Sequence, residues 1–222
     1  MKIFIDTADI KQIRKYAKFG FIDGVTTNPA LLAKEDGYFL DVVKEIIEIV
    51  DGPISGEVVS LDTEGMVKEA RSLAKIHDRI VVKLPAIPTG FEALKIVSSE
   101  GIKTNFTVVY TSNQALLAAK NGATYVSPFI GRLDAHAGSG RQLLTEISKI
   151  FKNYEFKTQI LAASMRNSLY VKEAALAGAH VATIPPEVID DMMTSELSDV
   201  ALKGFLEKWE KLSKNKKNIF GE

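Results

Sequence analysis

Along the whole chain, short apolar runs rich in Val and Ile alternate with longer stretches whose apolar residues recur at helical spacing. The short runs lie at 2–7, 24–28, 54–59, 80–85, 104–110, 125–130, 157–164 and 180–184, and each has the length and composition of a strand. Between them come helical patterns such as 63–77, where Met66, Ala70, Leu73 and Ala74 share one face. Another is 111–121, with Leu116, Leu117 and Ala119 among polar residues. Turn signals stand at the junctions: Asp23-Gly24, Asp51-Gly52-Pro53, Asn121-Gly122 and Ala177-Gly178.

Strict alternation of strand and helix predicts a parallel sheet, because each crossover between parallel strands needs a helix. Eight such units without a linker or a low-complexity segment favour closure into a single (β/α)8 TIM barrel over residues 1–222. An open doubly wound sheet is the alternative, but the Gly-x-Gly-x-x-Gly turn of that fold follows none of the strands. A last amphipathic stretch, 198–216, repeats Leu202, Phe205, Leu206, Trp209 and Leu212 at helical spacing. It predicts an additional C-terminal helix that either packs on its own barrel or covers a neighbouring subunit.

Alternation within each strand separates the barrel interior from the helix-facing side. Ile80, Val82 and Leu84 are uniformly apolar and should face the helices, which turns Lys83 inward. By the same argument Ile3 and Ile5 turn Asp6 inward, and Phe106 and Val108 turn Asn105 and Thr107 inward. Val126, Pro128 and Ile130 do the same for Ser127 and Phe129. Asn28, Glu57 and Ser164 are also expected to look inward. All of these lie toward the C-terminal ends of their strands, where barrel enzymes carry their active sites. A buried ion pair of Lys83 with Asp6 or Glu57 that merely fills the barrel is the competing reading, but such a pair stabilises poorly once desolvation is counted.

Composition narrows the chemistry. Lys plus Arg and Asp plus Glu both number 28, so no net charge marks a nucleic-acid or anionic membrane surface. The absence of cysteine removes disulfides, thiolate nucleophiles and thiolate metal sites. No run approaches the ~18 apolar residues of a membrane span, and Met1-Lys2-Ile3-Phe4-Ile5-Asp6 is charged too early for a secretory signal. A cytoplasmic protein is expected. A lysine beside carboxylates suits imine chemistry on a ketone, in which the amine is the nucleophile and the acids move protons. The segment 131–141 reads as a Gly-rich loop leading into a helix and carries Arg132. Ser164 and Arg166 follow the seventh strand, so the two segments together offer a phosphate site.

Five segments carry a family resemblance: Ile5-Asp6-Thr7, Gly24-Val25-Thr26-Thr27-Asn28-Pro29, Val82-Lys83-Leu84-Pro85, Arg132-Leu133-Asp134 with Gly138-Ser139-Gly140, and Leu161-Ala162-Ala163-Ser164. With these the chain resembles the small, barrel-only branch of the transaldolase family, which also contains the fructose-6-phosphate aldolases, from residue 1 to about residue 215. The resemblance implies a metal-free, cofactor-free mechanism with Lys83 as the Schiff-base lysine and Asp6 as the carboxylate that takes a proton during carbon–carbon cleavage. It implies that Glu57 works through a water held with Thr107. Asn28 and Ser127 would hold substrate hydroxyls, and Arg132, Ser164 and Arg166 the phosphate. The implied reaction transfers a dihydroxyacetone unit from a ketose phosphate, such as sedoheptulose 7-phosphate or fructose 6-phosphate, to an aldose phosphate in the pentose phosphate pathway. The implied assembly is a homopentamer or homodecamer whose last helix reaches a neighbour. Glu57 and Phe129 stand where the aldolases usually carry Gln and Tyr, which favours transfer over release of free dihydroxyacetone.

Three other functions fit less well. A metal-dependent aldolase needs grouped imidazoles, whereas His77, His136 and His180 are scattered. A phosphosugar isomerase has no use for Lys83 beside Asp6. A phosphosugar-binding barrel without catalysis predicts loss of Lys83, Glu57 or Asp6, and all three are present.

Overall fold

The computed structural model describes residues 1–35 and 39–212. Eight parallel strands close into a barrel in sequence order: β1 (Lys2–Asp6), β2 (Gly24–Thr26), β3 (Ile54–Glu57), β4 (Ile80–Pro85), β5 (Thr104–Val109), β6 (Tyr125–Pro128), β7 (Gln159–Ala162) and β8 (Val181–Ile184). Each expected run contains one strand, and six of the eight strands stop one or two residues before the expected C-terminal end. The helices are α1 (Ile10–Ala17), α2 (Pro29–Leu32), α3 (Phe39–Ile49), α4 (Thr63–Ala74), α5 (Pro88–Ser99), α6 (Ser112–Lys120), α7 (Ile130–Asp134), α8 (Gly140–Asn153), α9 (Ser168–Leu176), α10 (Pro186–Met193) and α11 (Glu196–Glu210).

Local chemistry starts most helices. Asp9, Asp62, Thr111, Ser139 and Asn167 each cap a helix with a side-chain oxygen, and Pro stands in the first turn of α2, α5 and α10. In α4 the buried face is Met66, Val67 and Ala70. In α6 it is Ala115, Ala118 and Ala119, while Leu117 is exposed, so alanines rather than leucines bring this helix onto the sheet.

The core divides into two layers by strand parity. Ile5, Val25, Ile54, Val82, Leu84, Phe106, Val126 and Ile160 pack outward against the helices. Phe4, Val81, Tyr125, Leu161 and Val181 fill the inside of the barrel as a separate apolar cluster. That cluster is a floor of hydrocarbon, and the polar residues sit one step further along the same inward-facing rows.

One strand departs from simple alternation. Val108 was expected to face the helices beside Phe106, but it has φ +61° and the β5–β6 register shifts between Phe106 and Val109. The extra residue forms a bulge, so Val109 takes the buried outward position and Val108 is left half-buried.

The C-terminal helix α11 begins at Glu196, two residues before the predicted stretch, and none of its residues is buried. Residues 213–216 of that stretch lie outside the described residues. Among the described residues no helix is long and apolar enough to cross a membrane.

Candidate active site at the C-terminal mouth of the barrel

Strand register decides which inward residues become neighbours. Glu57 lies level with Lys83 across β3 and β4, and Lys83 lies level with Asn105 across β4 and β5. Asp6 lies level with Thr26 across β1 and β2. Because adjacent strands are about 4.8 Å apart, these side chains meet without any loop to carry them.

Lys83 is buried. Its Nζ stands 2.9 Å from Glu57 Oε2 and donates to the Thr27 carbonyl at 3.0 Å. Thr27 is held in turn by its own hydroxyl, which donates to the Ser55 carbonyl at 2.8 Å. On the other side Ser127 Oγ donates to Asn105 Oδ1 at 2.6 Å, and Asn105 Nδ2 reaches Ser55 Oγ at 3.4 Å. The lysine therefore stands in a frame of fixed polar groups, which is what preorganisation requires.

Asp6 accepts a hydrogen bond from Thr26 Oγ1 at 2.7 Å, and Thr26 and Thr183 share a hydroxyl–hydroxyl contact of 2.5 Å. Burial raises the Asp6 carboxyl above the ordinary range. The Thr26 hydroxyl and the Lys83 charge work against that shift, while Glu187 and Glu57 add to it. A carboxyl whose proton affinity is raised by its site is suited to accept and return a proton.

A cavity of about 170 Å³ opens above the apolar floor. Asp6, Asn28, Lys83, Thr107, Ser127, Phe129, Arg132 and Ser164 all line it, joined by Thr26, Asn105 and Thr183. It is smaller than the roughly 300 Å³ at which ligand pockets usually begin, so a short fragment fits beside Lys83 and a longer ligand must extend out of the mouth. Thr107 Oγ1 is buried and has no hydrogen-bond partner among the described residues, which leaves it available to a ligand or a water. Asn28 caps α2 by accepting from Leu31 N at 3.0 Å, so its amide NH2 is the group left to donate into the cavity.

Two expected members stand elsewhere. Glu57 lies behind Lys83 and borders a neighbouring surface cavity of about 670 Å³. Arg166 is exposed and does not line the small cavity; its aliphatic stem lies against Gly131, where a Cβ would meet Arg166 Cγ at 3.1 Å. Arg132 does line it, but from α7 rather than from the expected loop, with its guanidinium 5.6 Å from the Phe129 ring centre. Tyr110 meets the same ring edge-on at 6.0 Å. Ser164 also arrives by another route than expected. The inward row of β7 is Leu161 and Ala163, and Ser164 reaches the cavity through a left-handed backbone, φ +62°.

Sequence reasoning overlooked Thr26, Thr183 and Ser55. All three had a usable signal, since Thr26 shares the parity of Asn28, Ser55 that of Glu57, and Thr183 that of Val181. Among the described residues no group of His, Asp or Glu side chains is arranged to hold a metal ion.

A family model for transaldolase/fructose-6-phosphate aldolase matches residues 3–220. The chain belongs to this family. It is 55% identical over 214 residues to a protein named "Probable transaldolase" from Geotalea daltonii, covering 96% of this chain and 100% of that one. It is 54% identical over 215 residues to another of the same name from Caldicellulosiruptor saccharolyticus, covering 96% and 99%. Among solved structures, thiamine phosphate pyrophosphorylase from Pyrococcus furiosus superposes with a TM-score of 0.57 at 14% identity, over 83% of this chain and 85% of that one. That likeness concerns the barrel alone.

Proposed function

We propose that this chain is a cytoplasmic transaldolase of the pentose phosphate pathway that moves a dihydroxyacetone unit between sugar phosphates without metal or cofactor. The observation that carries the reading is the buried Lys83 amine, 2.9 Å from Glu57 and lining the same small cavity as Asp6. The relatives' names and the two positions Glu57 and Phe129 support transfer over simple cleavage.

In this reading Lys83 attacks the ketone carbon of sedoheptulose 7-phosphate or fructose 6-phosphate as a neutral amine. Glu57, acting through a water held with Thr107, supplies the proton with which the carbinolamine oxygen departs as water, leaving an iminium on Lys83. Asp6 takes the proton from the hydroxyl on the far carbon of the bond to be cleaved, so that this carbon becomes the aldehyde of the leaving aldose. The carbon–carbon bond then breaks, its electron pair flows into the iminium, and an aldose phosphate leaves behind an enamine. Attack of that enamine on a second aldose phosphate reverses the steps, with Asp6 returning its proton to the new hydroxyl. Asn28 and Ser127 hold the hydroxyls of the three-carbon unit, and Arg132, Ser164 and Arg166 draw the phosphate toward the mouth. The Phe129 ring beside the enamine offers no proton, which protects it from hydrolysis until an acceptor arrives.

The deciding assay follows glyceraldehyde 3-phosphate formation from fructose 6-phosphate with and without erythrose 4-phosphate. Formation should be fast only with the acceptor. Equal rates in its absence would make the protein a fructose-6-phosphate aldolase instead.

A further inference from the structure

Immediately after Glu57 the chain leaves the sheet, and the next three backbone N–H groups are all engaged. Val58 N donates to the Lys83 carbonyl at 3.2 Å. Val59 N and Ser60 N both donate to Glu69 Oε2, at 2.7 and 3.2 Å, and Ser60 Oγ donates to Glu69 Oε1 in a very short contact. Glu69 projects from the middle of α4, so one helical carboxylate with three donors grips the loop that follows β3. The fit is close on the same side. A Cβ at Gly65, in the first turn of α4, would stand 2.7 Å from both Cβ and Oγ of Ser60. Beyond the loop, Thr89 Oγ1 donates to the Leu61 carbonyl at 2.7 Å. Glu57 and Glu69 border the same surface cavity.

We propose that Glu69 is a positioning residue: by clamping Val59 and Ser60 it fixes the end of β3, and so fixes where the Glu57 carboxylate stands against Lys83. The inference rests on the imine chemistry assigned to Lys83 and Glu57. Its physical basis is that Glu57 is the last residue of a strand only four residues long, and that beyond it the single Val58 N bond to the Lys83 carbonyl precedes the Glu69 clamp. A proton-transferring group displaced by about 1 Å can lose on the order of a hundredfold in rate. Burial opposes the charge on Glu69, but the Ser60 hydroxyl and the two backbone donors outweigh it and lower the carboxyl below its usual range. The clamp is therefore charged, and its hydrogen bonds are of the stronger, charge-assisted kind.

The test separates imine formation from the later transfer step. Imine formation is read as the single-turnover rate of borohydride trapping of Lys83 with fructose 6-phosphate. Glu69→Ala should slow it ten- to a hundredfold while the KM for fructose 6-phosphate changes less than twofold. Glu69→Gln should restore it to within threefold, because one amide oxygen can accept both backbone N–H groups while the NH2 donates to Ser60. In a Glu57→Gln background the further substitution Glu69→Ala should cost less than twofold, since the group being positioned is gone. Should Glu69→Ala fail to fold, Ser60→Ala removes only one of the three hydrogen bonds and should slow trapping two- to fivefold. Unchanged trapping in either variant beside a lowered Tm would make Glu69 a plain loop staple and overturn the proposal. So would an equal loss with and without Glu57. Absence of trapping at Lys83 in the wild type would overturn the imine reading itself, and this proposal with it.

Discussion

At the barrel mouth Lys83, Asn105, Thr107 and Ser127 are polar groups buried inside the molecule, whereas along α11 Leu197, Val200 and Phe205 are apolar groups 81%, 69% and 66% exposed. Each arrangement costs free energy when the chain is taken alone. Taking an ion out of water costs several kcal/mol after relaxation, and leaving apolar surface in water forgoes about 25 cal/mol for every Å² that could be buried. The mouth shows its compensation within the chain, in the Glu57 pair and the Ser127–Asn105–Ser55 hydrogen bonds. The helix shows none within the described residues. At about 100° per residue, Leu197, Val200, Leu202, Phe205 and Leu206 sweep roughly two-thirds of its circumference, more than the stripe of a helix that packs on one side only. The polar groups of the mouth are thus mostly partnered within the chain, whereas these apolar positions of α11 stay open to water among the described residues.

Removing the centre of the mouth should have the largest effect. Lys83→Arg keeps a positive charge but cannot form an imine, so turnover should fall by at least about 10⁴-fold and borohydride trapping should vanish. Trapping at another lysine would show that the buried amine is structural.

Assembly is next in size. Leu197→Glu combined with Phe205→Glu places charge where the isolated chain is already open to water, so a monomer should tolerate both. If α11 covers a neighbouring subunit of a pentamer or decamer, light scattering should show the particle mass fall severalfold. A monomeric wild type would show that α11 covers no neighbouring subunit.

Arg132 lines the cavity and Arg166 does not. Arg132→Ala should therefore lower kcat/KM for phosphorylated substrates about ten- to a hundredfold, the worth of a charge-assisted hydrogen bond. Arg166→Ala should lower it less than tenfold. Neither should alter the handling of unphosphorylated dihydroxyacetone; equal losses on both substrate types would mark the arginines as scaffold.

The smallest effect is on stability. The folded-state affinity of Asp6 for its proton is raised. The native state therefore binds more protons than the unfolded state between the ordinary carboxylate value and the raised one. The stability due to Asp6 is fully present below that window and is lost as pH rises through it. Asp6→Asn can still accept from Thr26 and carries no charge, so at neutral pH it should unfold about 2–4 °C higher, on the order of 1 kcal/mol. Its stability should also vary less across the window. A variant less stable than wild type at neutral pH would mean that the carboxylate contributes to the fold rather than costing it.

The barrel and most of the candidate site are legible in the chain, because both depend on short periods. The two-residue period of strands sorted Lys83, Asp6, Glu57 and Ser127 onto the inner face, and strand–helix alternation required parallel pairing that carries those residues to one end. Tertiary structure decided what periodicity cannot carry. The bulge at Val108 and the left-handed Ser164 interrupt the alternation, so the first was misplaced and the second reached the cavity by an unexpected turn. Register paired Lys83 with Glu57 rather than Asp6, since alternation says which face a side chain takes and not which residue stands beside it. The Glu69 clamp joins residues nine and ten positions apart across a loop, a distance fixed only once α4 has packed against the barrel.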